Sequence, residues 1–102
     1  MSELDLANVR APVVLRCSVR VAGREIAAAQ EVPRLAWDDA DDLMRATLES
    51  ALRARLGESV MTATRALPDY AAIGEAPVHA HIPTELQDQM YREMLRSIET
   101  PA

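Results

Sequence analysis

The chain has no lysine and no phenylalanine, and only three glycines, two histidines and one cysteine among its 102 residues. Each shortage removes a class of chemistry. Without lysine there is neither a Schiff-base amine nor a P-loop cation, and Gly23, Gly57 and Gly74 stand too far apart to cradle a phosphate. With Cys17 alone, an intrachain disulfide and any Cys-x-x-Cys motif are excluded. Neither a Gly-x-Ser-x-Gly elbow nor a His-Glu-x-x-His zinc helix occurs. No window approaches the roughly 18 apolar residues of a spanning helix. The opening MSELDLANVR lacks the basic start and apolar run of a signal peptide, so the cytoplasm is the expected compartment. No cofactor is implied.

Apolar residues make up 49% of the chain but aromatics only 3%, so the core must be built from Leu, Val, Ile, Met and Ala. The length allows one modest domain over 1–102, and a small aliphatic core of this kind favours self-association. Every one of the eleven basic residues is arginine, a bias expected of GC-rich bacterial or phage coding. The net charge of −5 argues against a general binder of nucleic acid or anionic membrane. Residues 1–36 carry five Arg against four acids, whereas 37–102 carry six against twelve. An acidic body behind a nearly neutral N-terminal third points to protein partners, another copy of the chain included.

The clearest signal runs from Val13 to Val32. Folding the chain at Ala22-Gly23 sets Val21 opposite Arg24, Val19 opposite Ile26, Cys17 opposite Ala28 and Val13 opposite Val32. Antiparallel partners share a face, so Val13, Leu15, Cys17, Val19, Val21, Ile26, Ala28 and Val32 gather on one side. Arg16, Ser18, Arg20, Glu25 and Glu31 fall on the other. A slip of one residue would set Val19 against Glu25 and Arg20 against Arg24, so the pattern fixes the register. Ala-Gly is a weak turn pair, and a four-residue loop over Val21–Arg24 would keep the same register. Residues 1–11, ending before Pro12, are expected to be either a frayed, flexible tail or an arm on a partner.

Downstream, Asp38-Asp39 reads as an N-cap, with Asp41 and Asp42 in the first helical turn. Leu43, Met44, Thr47, Leu48, Ala51, Leu52 and Leu56 form an apolar stripe at helical spacing. Asp41, Arg45, Glu49 and Arg53 form a charged stripe opposite it, and Gly57 is placed to stop the helix. The alternation of Val60, Thr62 and Thr64 favours a strand over 59–67, against continuation of the helix. A short strand over 77–82 follows, with Val78, Ala80 and Ile82 inward. Thr84 and Gln87 make a capping box for a last helix striped by Leu86, Met90, Tyr91, Met94, Leu95 and Ile98, which frays over 99–102. The expected fold is α+β in the order β-β-α-β-β-α. It has an antiparallel sheet of three or four strands and two amphipathic helices on one face.

Three groups of residues could carry function. Asp38, Asp39, Asp41 and Asp42 have the spacing of a magnesium–diphosphate motif, but the simpler reading is a helix start complementing the macrodipole. His79 and His81 share a strand face as metal-binding His-x-His pairs do, yet a zinc site needs two more ligands and no third His exists. A Cys17–His79 nucleophile pair requires the fold to bring the two together. The favoured expectation is a non-enzymatic interaction or assembly module that self-associates through a sheet edge, with Arg16, Ser18 and Arg20 meeting acids such as Asp38–Asp42 of a neighbour. The alternative is an acidic inhibitor presenting Asp38, Asp39, Asp41, Asp42, Glu49, Asp69 and Glu75 to a nucleic-acid-binding enzyme. A small metal-binding or enzymatic domain using His79 and His81 comes third.

Overall fold

The hairpin forms in the expected register. In a computed structural model that describes residues 8–99, β1 (Val13–Val21) and β2 (Arg24–Val32) pair antiparallel from Val13↔Val32 to Val21↔Arg24. The turn has two residues, with φ of 54° at Ala22 and 77° at Gly23, the doubly left-handed conformation of a type I′ turn. Glycine adopts it freely. Alanine does so at a cost of about 1–2 kcal/mol. Replacing Ala22 with Asn, which tolerates this region, is therefore expected to stabilise the hairpin by about 1 kcal/mol. A thermal melt should show a rise of several degrees, and an unchanged or lower Tm would contradict the turn assignment.

The next helices differ from expectation. Arg34–Asp39 forms a short helix, α1, and the long helix α2 runs from Asp42 to Thr64. Asp41, rather than Asp38 or Asp39, caps α2, accepting a hydrogen bond from the Met44 amide at 2.8 Å. Asp38 and Asp39 close α1 instead, and Asp38 pairs with Arg10 at 2.6 Å.

Gly57 does not end α2, and the strand expected over 59–67 is helix as far as Thr64. The reason is tertiary. Leu52, Leu56 and Val60 recur every four residues, all at most 2% exposed against the sheet, which continues the helical stripe through Gly57. Gly57 is itself buried where Tyr70, Ile73 and Pro68 cross the helix. Thr64 returns its hydroxyl to the Val60 carbonyl, so its side chain is satisfied inside a helix. The helix ends at Arg65, which takes the left-handed conformation (φ 58°) and donates its amide to Met61.

A third short helix, α3 (Tyr70–Glu75), is capped by Asp69, which accepts from the Ala71 and Ala72 amides. The chain then adds β3 (His79–His81) to the sheet, antiparallel to β1, giving the order β2-β1-β3. Of the residues expected to point inward here, Val78 is half-buried while Ala80 and Ile82 are exposed. The architecture is α+β, with a three-stranded antiparallel sheet and four helices among the described residues. Val13, Leu15, Cys17, Ile26 and Val32 of the sheet meet Leu52, Leu56 and Val60 of α2, and Trp37, Ile73 and Ala76 close the core. Leu43 and Met44, expected in the stripe, are exposed, because packing against the core begins only at Leu48. The opposite stripe is not simply solvated. Arg45 lies 4.3 Å over the Trp37 ring, and Arg53 donates to the Ala76 carbonyl.

The last helix, α4 (Glu85–Glu99), begins with the expected capping box: Thr84 and Gln87 exchange hydrogen bonds of 2.9 and 3.2 Å. It does not pack its stripe on the sheet. Leu86, Met90, Met94 and Ile98 are between 51% and 71% exposed, and Tyr91 and Leu95 are half-buried. Asp88 and Arg92, on the other side of the helix, make the attachment. Asp88 accepts from the Ala11 amide at 2.9 Å and from Arg34 at 2.8 Å, and Arg92 donates to the Val9 carbonyl. The helix thus docks by its polar side, and the molecule is extended. Its radius of gyration is 17.1 Å, against about 13 Å for a compact chain of 100 residues. Of the expected N-terminal tail or arm, residues 1–7 lie outside the described residues and Ala11 is buried. Residues 100–102 of the expected tail also lie outside them.

Candidate functional site

Among the described residues, the hairpin, the third strand and α2 together leave one long edge uncovered. β3 occupies the far side of β1 at Val14–Arg16, whereas β2 has a neighbour on one side only among the described residues. In a two-residue hairpin the residues flanking the turn form a hydrogen-bonded pair, and such pairs recur every second residue. Arg24, Ile26, Ala28, Gln30 and Val32 therefore spend their backbone groups on β1. Glu25, Ala27, Ala29 and Glu31 turn theirs outward, and all four are exposed. Natural edges are guarded by proline, a bulge or charge. The centre of this one, Ile26–Gln30, has neither proline nor charge, and its pairing with β1 is unbroken.

A groove follows the edge. Near its C-terminal end a cavity of about 410 Å³ is lined by Gln30, Val32, Ala36, Met44 and Leu48, with Asp39 and Asp41 at the border. Beside Ala27–Ala29 a second, of about 560 Å³, is floored by Ser59, Thr62 and Ala63 and bordered by Arg55 and Glu58. Arg55 and Glu58 are exposed, and neither is ion-paired or hydrogen-bonded through its side chain among the described residues. An edge strand beside a helix is a general receptor for an extended segment. The backbone supplies hydrogen bonds and the trough takes alternate side chains.

The residues singled out from the sequence are distributed around this edge rather than gathered at one point. Arg16 and Arg20 are exposed and Ser18 is half-buried on the outer sheet face. Arg20 is turned back to the Gly23 carbonyl at 3.3 Å. His79 is partnered with Arg16 and His81 with Val14, which puts both imidazoles on that same face. His81 lies 3.1 Å from Gln87 Oε1. Among the described residues no three His, Cys, Asp or Glu side chains are grouped to hold a metal. Cys17 is next to Arg16 in β1 but faces the core at 1% exposure, so the strand separates it from His79 and the expected nucleophile pair does not form.

The acids are largely committed within the chain. Asp41 and Asp69 cap helices, Asp38 pairs with Arg10, and Glu49 lies 3.7 Å from Arg53. The residues that sequence reasoning missed are Arg34 and Asp88, buried together at 9% and 3% exposure. No periodic signal connects two positions 54 residues apart.

Among the described residues no helix is long and apolar enough to cross a membrane. The chain matches no protein-family model, no curated protein and no solved structure in the three comparisons made.

Proposed function

We propose that this protein is a non-enzymatic interaction or assembly module that takes a strand of another chain onto the free edge of β2. The observation carrying this reading is the outward row Glu25, Ala27, Ala29 and Glu31, beside a groove and without proline or charge at its centre. Four residues offer up to eight backbone hydrogen-bonding groups in a fixed line. That line is a template for antiparallel or parallel addition.

Proline at position 29 tests it. The Ala29 amide points away from β1, so proline there removes no hydrogen bond from the hairpin, and an edge strand tolerates it. Wild-type light-scattering mass is expected to rise with concentration. Ala29→Pro should weaken that association by at least about tenfold, the loss of roughly one charge-free hydrogen bond or more, with an unchanged far-UV spectrum. Association unaffected by the proline, or a wild type that stays monomeric with freely exchanging Ala27 and Ala29 amides, would refute the reading.

A further inference from the structure

We infer that the added strand is β2 of a second copy, antiparallel about a twofold axis at Ala29; this rests on the reading of β2 as an acceptor edge. In a symmetric antiparallel pair the outward residues of both strands must face each other. Axes at Ala27, Ala28 and Ala29 satisfy this while keeping most of the strand. The axis at Ala28 sets Glu25 opposite Glu31 of the second copy, and does so twice, which like-charge repulsion disfavours. The axis at Ala27 runs Glu31 onto Gly23 of the second copy's turn. The axis at Ala29 sets no acid directly opposite another, and its overhang, Glu25 against Pro33, matches in length that of the Ala27 axis, so the helices decide between these two. It places Ile26 opposite Val32 and Ala28 opposite Gln30 of the second copy on the inner face.

The helices support the same axis. α2 packs on both β1 and β2, so it lies inside the edge by about half the 4.8 Å strand spacing. A twofold at that edge then sets the two α2 helices about 10 Å apart, the distance at which helices pack. Met44 and Leu48 lie beside Gln30–Val32 while Arg55–Ala63 lie beside Ala27–Ala29, so α2 runs antiparallel to β2. An axis at Ala29 therefore crosses α2 near the Arg55 end of the second group. There Arg55 and Glu58, both unpaired within the described chain, meet Glu58 and Arg55 of the second copy. Ser59 and Ala63 are small enough to admit the approach. In a chain of net charge −5, this arginine–glutamate pair lets the groove complement itself.

The test is cross-linking in a Cys17→Ala background under oxidised glutathione. Opposed residues at the axis have Cα atoms about 5.5 Å apart, inside the range a disulfide spans. The two copies of residue 27 would be about 13 Å apart, four residues along the strand, and outside it. Ala29→Cys is expected to form the covalent dimer at least tenfold faster than Ala27→Cys. Arg55→Glu and Glu58→Arg should each weaken association, whereas an equimolar mixture of the two variants should restore it, because every charge then faces its opposite. Equal cross-linking rates, or a mixture no tighter than either variant alone, would overturn the inference. If Ala29→Pro still abolishes association in that event, the acceptor edge stands and only the twofold pairing at Ala29 falls.

Discussion

Asp88→Ala is expected to release α4 from the body of the protein, at a cost of about 3–5 kcal/mol. Asp88 and Arg34 form an ion pair of 2.8 Å at 3% and 9% exposure, and the same carboxylate oxygen accepts the Ala11 amide. Arg34 also donates to the carbonyls of Ala11 and Pro83. One carboxylate thus joins the segment before β1, the start of α1 and the last helix. Taking it away leaves a buried guanidinium without a counter-charge and an amide without an acceptor, a larger penalty than the pair is worth as a net interaction. Arg92, which donates to the Val9 carbonyl, and the half-buried Tyr91 and Leu95 add to this attachment, whereas Leu86, Met90, Met94 and Ile98 face solvent. Undocked, a helix of 15 residues is marginal in water. Amide exchange should therefore speed up across α4 and at Ala11 by about 10²–10³-fold, while the β1–β2 amides keep their protection. Asp88→Asn, which keeps an acceptor but not the charge, should fall between. The double variant Arg34→Met/Asp88→Leu should recover much of the loss, because an apolar pair leaves nothing unsatisfied. Slow exchange retained throughout α4 in Asp88→Ala would show that the helix is held by other means.

That junction shows where reading a sequence stops. The hairpin was legible to the residue because period-two alternation on both sides of a turn leaves one register free of like-charge opposition. The start of α4 was legible because a capping box is local. The end of α2 was not. Val60, Thr62 and Thr64 have the β-branched alternation of a strand, and only the sheet beneath Leu52, Leu56 and Val60 decides for a helix. Gly57 looked like a stop because its neighbours in space, Tyr70 and Ile73, cannot be seen from its neighbours in sequence. The stripe of α4 is an instructive error. Amphipathicity says that a face should be covered, but not that the covering comes from the same chain, and here Asp88 and Arg92 hold the polar side inward instead.

The candidate site was half legible. A hairpin in a small sheet has edges to spare, but which edge stays open depends on where β3 goes. By pairing with Val14–Arg16, β3 covers part of β1's outer side and leaves β2 as the long free edge among the described residues. Arg16, Ser18 and Arg20, expected as contact residues, sit on the face of the sheet rather than on that edge. Arg55 and Glu58 belong to the groove because α2 continues to Thr64. The β-branched alternation of Val60, Thr62 and Thr64 masks the helix and, with it, the groove.

Cys17 is expected to react with iodoacetamide only when the protein opens. Its side chain is 1% exposed between the sheet and α2. Burial raises its pKa above the ordinary value, an effect that the nearby Arg53 charge only partly offsets. Both the access and the thiolate that alkylation needs are therefore withheld. For a domain with a stability of about 5 kcal/mol, opening limits labelling to roughly 10³–10⁴-fold below the rate for the unfolded chain. Labelling that rises steeply on adding urea, in step with loss of the far-UV signal, would bear this out. Fast labelling of the native protein would mean that α2 lifts from the hairpin. The sign of the pH effect follows from the same shift. The unfolded thiol ionises first as pH rises past about 8.5, while the folded one keeps its proton. Stability from this group is fully present at neutral pH and is lost as pH climbs toward the raised folded value, by at most about 1.4 kcal/mol per pH unit. Cys17→Ala should remove that alkaline slope while keeping a small apolar group under α2, and an unchanged slope would place its origin elsewhere.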